Sequence, residues 1–254
     1  MFKNRVRLRT LAVALPLMLL TAGHLQAAEE QQAGKWQWYG ELFAQGAQLD
    51  GTASTGEDIE VPLHDVLDNL DFAFMGSLAV RKNKLTLFGN FIYANLGERA
   101  TIPLDTPTPL EADLNLDIKQ YISTFGAAYE IADTGRSTFN LLAGGRYLLI
   151  DADLKYDIAP NASGREKDSE SNWDFIVGAR GTTDLNDKWY VHYYADIGTG
   201  NSDMTWQAIA GVNYRLSKVD LTLGYAYMDW DFDKKSLVRD ISIKGPYAGI
   251  KFAF

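Results

Sequence analysis

The residues through which this chain could do chemistry are two histidines and a scatter of acids and arginines, and their spacing limits what that chemistry is. His64 and His192 are the histidines beyond the N-terminal region, where His24 lies. His192 and Asp196 stand four apart in an alternating stretch, roughly 13 Å along a strand at about 3.3 Å per residue, so they do not touch each other. A histidine-activated nucleophile needs base and hydroxyl within hydrogen-bond reach. No compact His-x-Ser spacing occurs, and nothing supports Ser77 or Ser202 in that role. The chain has no cysteine, which removes thiolate nucleophiles, zinc–thiolate sites and disulfides. No enzyme activity, catalytic residue, metal or cofactor is expected.

The positions of the charges say more. Glu41, Arg81, Glu130, Arg146, Asp174, Arg180, His192, Asp196 and Arg215 each fall on the polar side of a segment whose other side is apolar at every second residue. Period two is strand geometry. Trp38, Gly40, Leu42 and Ala44 alternate with Tyr39, Glu41, Phe43 and Gln45. Trp173, Phe175, Val177 and Ala179 alternate with Asp174, Ile176, Gly178 and Arg180 in the same way.

Ten such segments are expected, at 36–49, 71–82, 85–96, 111–131, 137–157, 172–184, 189–198, 204–216, 219–231 and 237–254. Merging short segments gives eight, and a hairpin hidden in a loop gives twelve. The alternation changes phase near Lys119 and Gln120, and again near Gly245-Pro246, as a β-bulge would cause. Asn83-Lys84 is a tight hairpin turn. The connections after the second, fourth, sixth and eighth segments are tight. Those after the first, third and fifth are long. The first of these, 50–71, holds seven acidic residues and no Lys or Arg, and Leu63, Val66, Leu67 and Leu70 within it have helical spacing. Those acids could hold Ca²⁺, but their spacing fits no calcium loop, and a solvated acidic rim is the preferred reading.

Tight turns alternating with longer loops, around strands apolar on one face, describe a closed transmembrane β-barrel. Hydrocarbon offers no hydrogen bonds, so every backbone group must pair within the protein. The expected fold is all-β: a closed antiparallel up-and-down transmembrane barrel of about ten strands. Trp36, Trp38, Trp173, Trp189, Trp206 and Trp230 lie near the strand ends, where interfacial aromatic girdles form.

The two ends of the chain are read with the same picture. Lys3, Arg5, Arg7 and Arg9 precede an apolar run from Leu11 to Ala22, with Leu25-Gln26-Ala27 at an acceptable cleavage site. Residues 1–27 therefore read as a secretory signal peptide, 28–35 as a periplasmic leader and 36–254 as the barrel. The last strand places Ile250, Phe252 and Phe254 on one face and stops on the aromatic. That ending resembles the C-terminal sorting signal of bacterial outer-membrane barrels, which implies handling by the barrel-assembly machinery and closure against the first strand.

Taken whole, 36–254 is similar in kind to the opacity-protein, outer-membrane protein A and outer-membrane protein W barrels. The resemblance is architectural and matches none of their functional motifs. It implies the bacterial outer membrane as location, with membrane lipid and lipopolysaccharide as partners, the acidic rim meeting the latter through divalent ions. A protease similar to the omptins would also have ten strands, but no paired acids stand beside a histidine at a loop end, apart from His64-Asp65. Nucleic acid is not expected as a partner. The chain has 24 basic and 33 acidic residues, and removal of the signal leaves 20 against 33, a net of −13. The function expected is that of a barrel with a narrow charged lumen and a structural or surface-interaction role. The alternatives are a narrow channel for small solutes and a lipid- or peptide-modifying enzyme.

Overall fold

The computed structural model describes residues 34–53, 56, 58–104, 110–158, 162–232 and 238–254. The expected signal peptide and most of the leader lie outside the described residues. In chain order the elements are β1 (Gln37–Gln45), β2 (Gln48–Ala53), β3 (Asp58–Val61), α1 (Leu63–Asp68), β4 (Leu70–Lys82), β5 (Leu85–Leu104) and β6 (Leu110–Asp133). There follow β7 (Ser137–Ile158), β8 (Ala162–Asp184), β9 (Trp189–Gly200), β10 (Met204–Arg215), β11 (Asp220–Asp231) and β12 (Val238–Ala253).

β1 and β4 to β12 form a closed antiparallel ring of ten strands, each paired with its neighbour and β12 returning to β1. Closure runs through the C-terminal strand: Leu42 lies opposite Ile250 and Gly40 opposite Phe252. The Phe252 ring covers Gly40, where an added Cβ would come within 2.4 Å of it. Phe254 exchanges backbone hydrogen bonds with Trp38. β2 and β3 are a hairpin outside the ring, laid on the upper half of β12. The expected first strand is therefore broken: β12 pairs with β1 as far as Tyr247 and with β2 from Lys244 upward. At that junction Gly245 meets Gly46 backbone to backbone, and a Cβ on Gly245 would lie 1.6 Å from the Gly46 carbonyl oxygen. Only glycine fits there.

α1 lies at this rim. Its Leu63 packs over Gly46, its Val66 is buried, and Asp65 in its first turn suits the helix dipole. At the opposite end the turns are tight. Asn83 takes the left-handed conformation (φ 53°) that a two-residue hairpin loop requires. Asn186 accepts the backbone N–H groups of Lys188 and Trp189.

The bulges expected at 119–120 and 245–246 are absent. β5 and β6 pair without a shift from Leu85↔Tyr129 to Leu104↔Leu110, and β11 and β12 pair without one from Asp220↔Lys251 to Asp231↔Asp240. Register shifts fall instead between Glu130 and Ala132, between Leu70 and Phe72, and between Val238 and Asp240. What changes at the two expected positions is the surroundings, while the strand keeps its phase. On β6 the outward side chains run Tyr129, Ala127, Phe125, Ser123, Tyr121 and then Lys119, Asp117, Asn115. The inward ones run Thr124, Ile122, Gln120 and then Ile118, Leu116. β7 does the same: Leu141, Ala143, Tyr147 and Leu149 face outward below Asp151, Asp153 and Lys155, while Arg146 faces inward below Leu148, Ile150 and Leu154. Below this level the outer face is apolar; above it the outer face is charged and the inner face apolar. The outside of the lower part meets hydrocarbon, and that of the upper part meets water. Ile241 and Ile243 on β12 belong to the upper, inward-apolar regime, and Ala248 and Ile250 to the lower one.

The level of inversion is shared by neighbouring strands, since Tyr93 pairs with Tyr121, Tyr121 with Leu149, and Leu149 with Ser171. Eight residues separate Tyr121 from Tyr129, about 26 Å along the strand at about 3.3 Å per residue. A tilt of about 40° reduces this to about 20 Å along the axis, which with the aromatic rings fits the roughly 25 Å apolar band of outer-membrane barrels. Leu78, Phe175, Leu223, Phe125 and Ile250 lie exposed within this belt. No helix among the described residues is long and apolar enough to cross a membrane.

Candidate functional site

The inner face of the ring carries the charged side chains, and each is placed by the alternation of its strand. At the tight-turn end Arg81 of β4 donates to Glu130 of β6 (2.6 Å) and Arg215 of β10 donates to Asp184 of β8 (2.5 Å). Arg215 also stacks on Tyr190, which donates to Asp220 at 2.7 Å. Next along the wall, Lys251 of β12 reaches Glu41 of β1 (4.0 Å) and donates to Asn213 (2.9 Å). Asn213 also meets His192 Nδ1 (2.7 Å), and His192 Nε2 meets the Tyr247 hydroxyl. Gly211 and Gly224 make room for these two rings: a Cβ on either would come within 2.6 Å of the His192 or Tyr247 ring, respectively. His192 thus meets an amide and a phenol. Asp174, an acid on the neighbouring strand β8, lies elsewhere, bonded to Asn172 and to the Ser202 backbone N–H. His192 and Asp196 do not touch.

Across the middle of the barrel lies Arg146, fully buried. From β7 its guanidinium donates to Asp196 of β9 (2.6 Å) and, on β10, to Thr205 (2.9 Å) and Gln207 (2.8 Å). Tyr194 donates to the same oxygen of Asp196 at 2.5 Å. One side chain thereby ties β7 to β9 and β10 through the lumen. Above it, Ile122, Leu148, Met228, Trp230, Phe232 and Ile243 pack into an apolar layer that Leu49 and Ile241 join from the rim hairpin and β12. Below it is a second apolar group: Ala128, Leu142 and Ile176 with Phe88 and Tyr194. Arg180 points into the lower space over the Phe88 ring, its Cζ 5.4 Å from the centroid.

Trp230 was expected in the aromatic girdle and is instead part of this plug, with no exposure and its ring 5.8 Å from the Arg146 guanidinium. Its parity on β11 is opposite to that of Leu223, Tyr225 and Tyr227, so it faces inward where they face lipid. The other five tryptophans face outward. Trp173 lies against Tyr147, and Trp206 stacks on Tyr227, at the upper level. Trp189 lies against Tyr214 at the lower level, with Trp36 under Lys82 and Trp38 beside it in sequence.

Outside the membrane, β5 to β8 rise above the rest of the ring. Their outer face is laced by ion pairs: Asp153 accepts Arg165 and lies 3.7 Å from Lys167, and Lys155 lies 3.8 Å from Asp117. The hydrogen bond from Arg165 holds the Asp153 carboxyl down at about 2. The inner face presents Leu116, Ile118, Ala152 and Leu154 beside Glu166 and Asp168. An open depression of about 470 Å³ is lined by Ala152, Leu154, Glu166, Lys167 and Asp168. Above Trp173, whose carbonyl accepts the Asn201 N–H, β8 pairs with β7 alone among the described residues, because the pairing with β9 ends at Asp174. His64 and Asp65 are 3.0 Å apart on α1, with the His64 side chain exposed to solvent. No group of three or more metal-ligating residues stands together among the described residues.

Sequence reasoning placed Trp230 in the girdle and did not single out Thr205, Gln207, Asn213, Tyr247 and Lys251 as lumen residues. Alternation puts them on the inward face, but all of these five except Lys251 are uncharged and did not stand out.

A closed ring with a lipid-facing belt, aromatic girdles and a polar lumen defines the fold of a small outer-membrane β-barrel. Solved structures of that class are similar to it. The outer membrane protease OmpT from Escherichia coli aligns with a TM-score of 0.51 at 8% identity, over 87% of this chain and 97% of that one. The translocator domain of the autotransporter NalP from Neisseria meningitidis aligns at 0.43 and 12% identity, over 89% and 90%. Ail, the attachment invasion locus protein of Yersinia pestis, aligns at 0.37 and 12% identity, over 87% and 99%. At such identities the likeness shows the fold alone. No protein-family model matches the chain, and no curated protein sequence does.

Proposed function

We propose that this protein resides in the bacterial outer membrane as a non-conducting barrel, and that its working surface is the β5–β8 wall, which meets a partner outside the cell. The observation that carries this reading is the burial of side chains in the middle of the lumen. Arg146, its partners on β9 and β10, and the apolar layer of Trp230 and Phe232 meet there fully or nearly buried, which supports a closed passage. A buried ion pair satisfied by further hydrogen bonds is rigid, since breaking it strands a charge. The wall offers features a contact surface uses: an apolar inner face, an open depression, and a length of β8 with no strand on one edge among the described residues.

Conductance of the refolded protein in planar bilayers tests the reading. The expected result is a silent membrane at neutral pH. Discrete, reproducible current steps would overturn it and favour a narrow channel.

A further inference from the structure

The cations on the inner face of the membrane-spanning strands sort by partner. Arg81 has Glu130, Arg146 has Asp196, Arg215 has Asp184 and Lys251 has Glu41. Arg180 has no carboxylate among the described residues. Its side chain reaches from β8 to the face of Phe88 on β5, which compensates a guanidinium in part. The charges that act on it include Arg81 and Lys251, both of its own sign. Tyr194 is close, but its hydroxyl is engaged by Asp196. A half-buried guanidinium with no carboxylate of its own, beside cations that each have one, favours an anion.

The place of Arg180 says from which side that anion comes. It stands six residues below Asp174 on β8, toward the tight turn at 185–188, and it is partly exposed to the lumen. The apolar group of Ala128, Leu142 and Ile176 and the Arg146 layer close the space above it. The side that remains is that of Arg81 and Arg215, at the tight-turn end of the barrel.

We propose that Arg180 anchors an oxyanion site in the periplasmic half of the lumen, taking a small phosphate- or carboxylate-bearing ligand. The planar fork of the guanidinium suits two oxygens of one such group. The site is a cup with one mouth: the ligand enters and leaves on the same side. The single mouth rests on the closed lumen of the proposed function, but not on the role proposed for the outer wall; current steps in a bilayer would remove the closure, whereas failure of phosphate and acetate to bind would remove the anion site alone.

The test is calorimetric titration of the refolded full barrel in detergent at low ionic strength with inorganic phosphate, and with acetate in a parallel arm. Saturable one-to-one binding of either is expected, weakened at least about tenfold by Arg180→Gln, with the stronger arm naming the ligand class. Absence of saturable binding in both arms overturns the proposal, as does unchanged affinity in Arg180→Gln. If that variant does not fold, the Arg180 Nε resonance of the unaltered protein decides, assigned from Arg180→Lys. A shift that saturates with the isotherm supports the site, and a resonance that does not move under saturating phosphate and acetate overturns it.

Discussion

Arg146 Nη2 lies 2.6 Å from Asp196 Oδ2, and neither side chain is exposed to solvent. The two residues sit on strands β7 and β9, so the contact crosses the lumen and does not follow the sheet. The second oxygen of Asp196 and the Trp230 indole N–H, both buried, have no protein partner, so the cluster has little reserve if one member is lost.

Asp196→Asn should therefore destabilise the barrel by about 3–5 kcal/mol, because it leaves the Arg146 charge buried without its counter-charge. Arg146→Met combined with Asp196→Leu should recover much of the loss, since both charges then go together. Urea unfolding midpoints in detergent, compared across the single and double variants, check this. Equal stability of Asp196→Asn and the unaltered protein would contradict the account.

Trp230→Ala should cost about 3–5 kcal/mol, the usual range for a large aromatic removed from a packed core. Trp206→Ala, on the lipid-facing side, should cost less. A second readout separates them directly. Brominated lipid should quench the fluorescence of a protein retaining only Trp206, and should leave one retaining only Trp230 bright.

The inversion of faces on β6 places the hydrocarbon boundary between Tyr121 and Lys119. Since the chain has no cysteine, single cysteines carry a spin label without background. Labels at Phe125 should be accessible to oxygen and shielded from a water-soluble nickel reagent, and labels at Lys119 the reverse. The same accessibility at both positions would remove the boundary from this level.

The Asp153–Arg165 pair stands outside the membrane, where pH acts on it freely. The Asp153 carboxyl is held at about 2, below its ordinary value near 3.8, chiefly by the hydrogen bond from Arg165. A depressed folded value means that the pair's contribution is fully present above about 3.8 and is lost as the pH falls through about 2. Amide exchange near the β7–β8 tip should be unchanged from neutral pH to about 4 and should rise relative to the lower barrel below about 3. Arg165→Gln should show the raised exchange already at neutral pH.

Much of this was legible in the residues taken in order. Alternation is a local property of a strand, so the sides of Glu41, Arg146, Asp174, Arg180 and His192 could be assigned without knowing any neighbour. The ten alternating segments, the tight turn at Asn83-Lys84 and the short helix after Pro62 are local as well. Even the inward side of Trp230 was present in the pattern of β11, masked by the habit of tryptophan to seek the interface. The sequence alone could not separate a change of phase from a change of solvent. Near 119–120 and 245–246 the apolar face swaps because lipid gives way to water outside the ring, and a pattern of side chains records both events identically.

Which residues meet was decided by the tertiary structure. Arg146 finds Asp196, Thr205 and Gln207 because ring closure and strand tilt bring β7 across the lumen to β9 and β10, and His192 finds Tyr247 because β12 curves back to close the ring. Parity fixes the face a side chain is on, and it is carried by each strand separately. Stagger and curvature fix its partner, and they belong to the closed sheet as a whole.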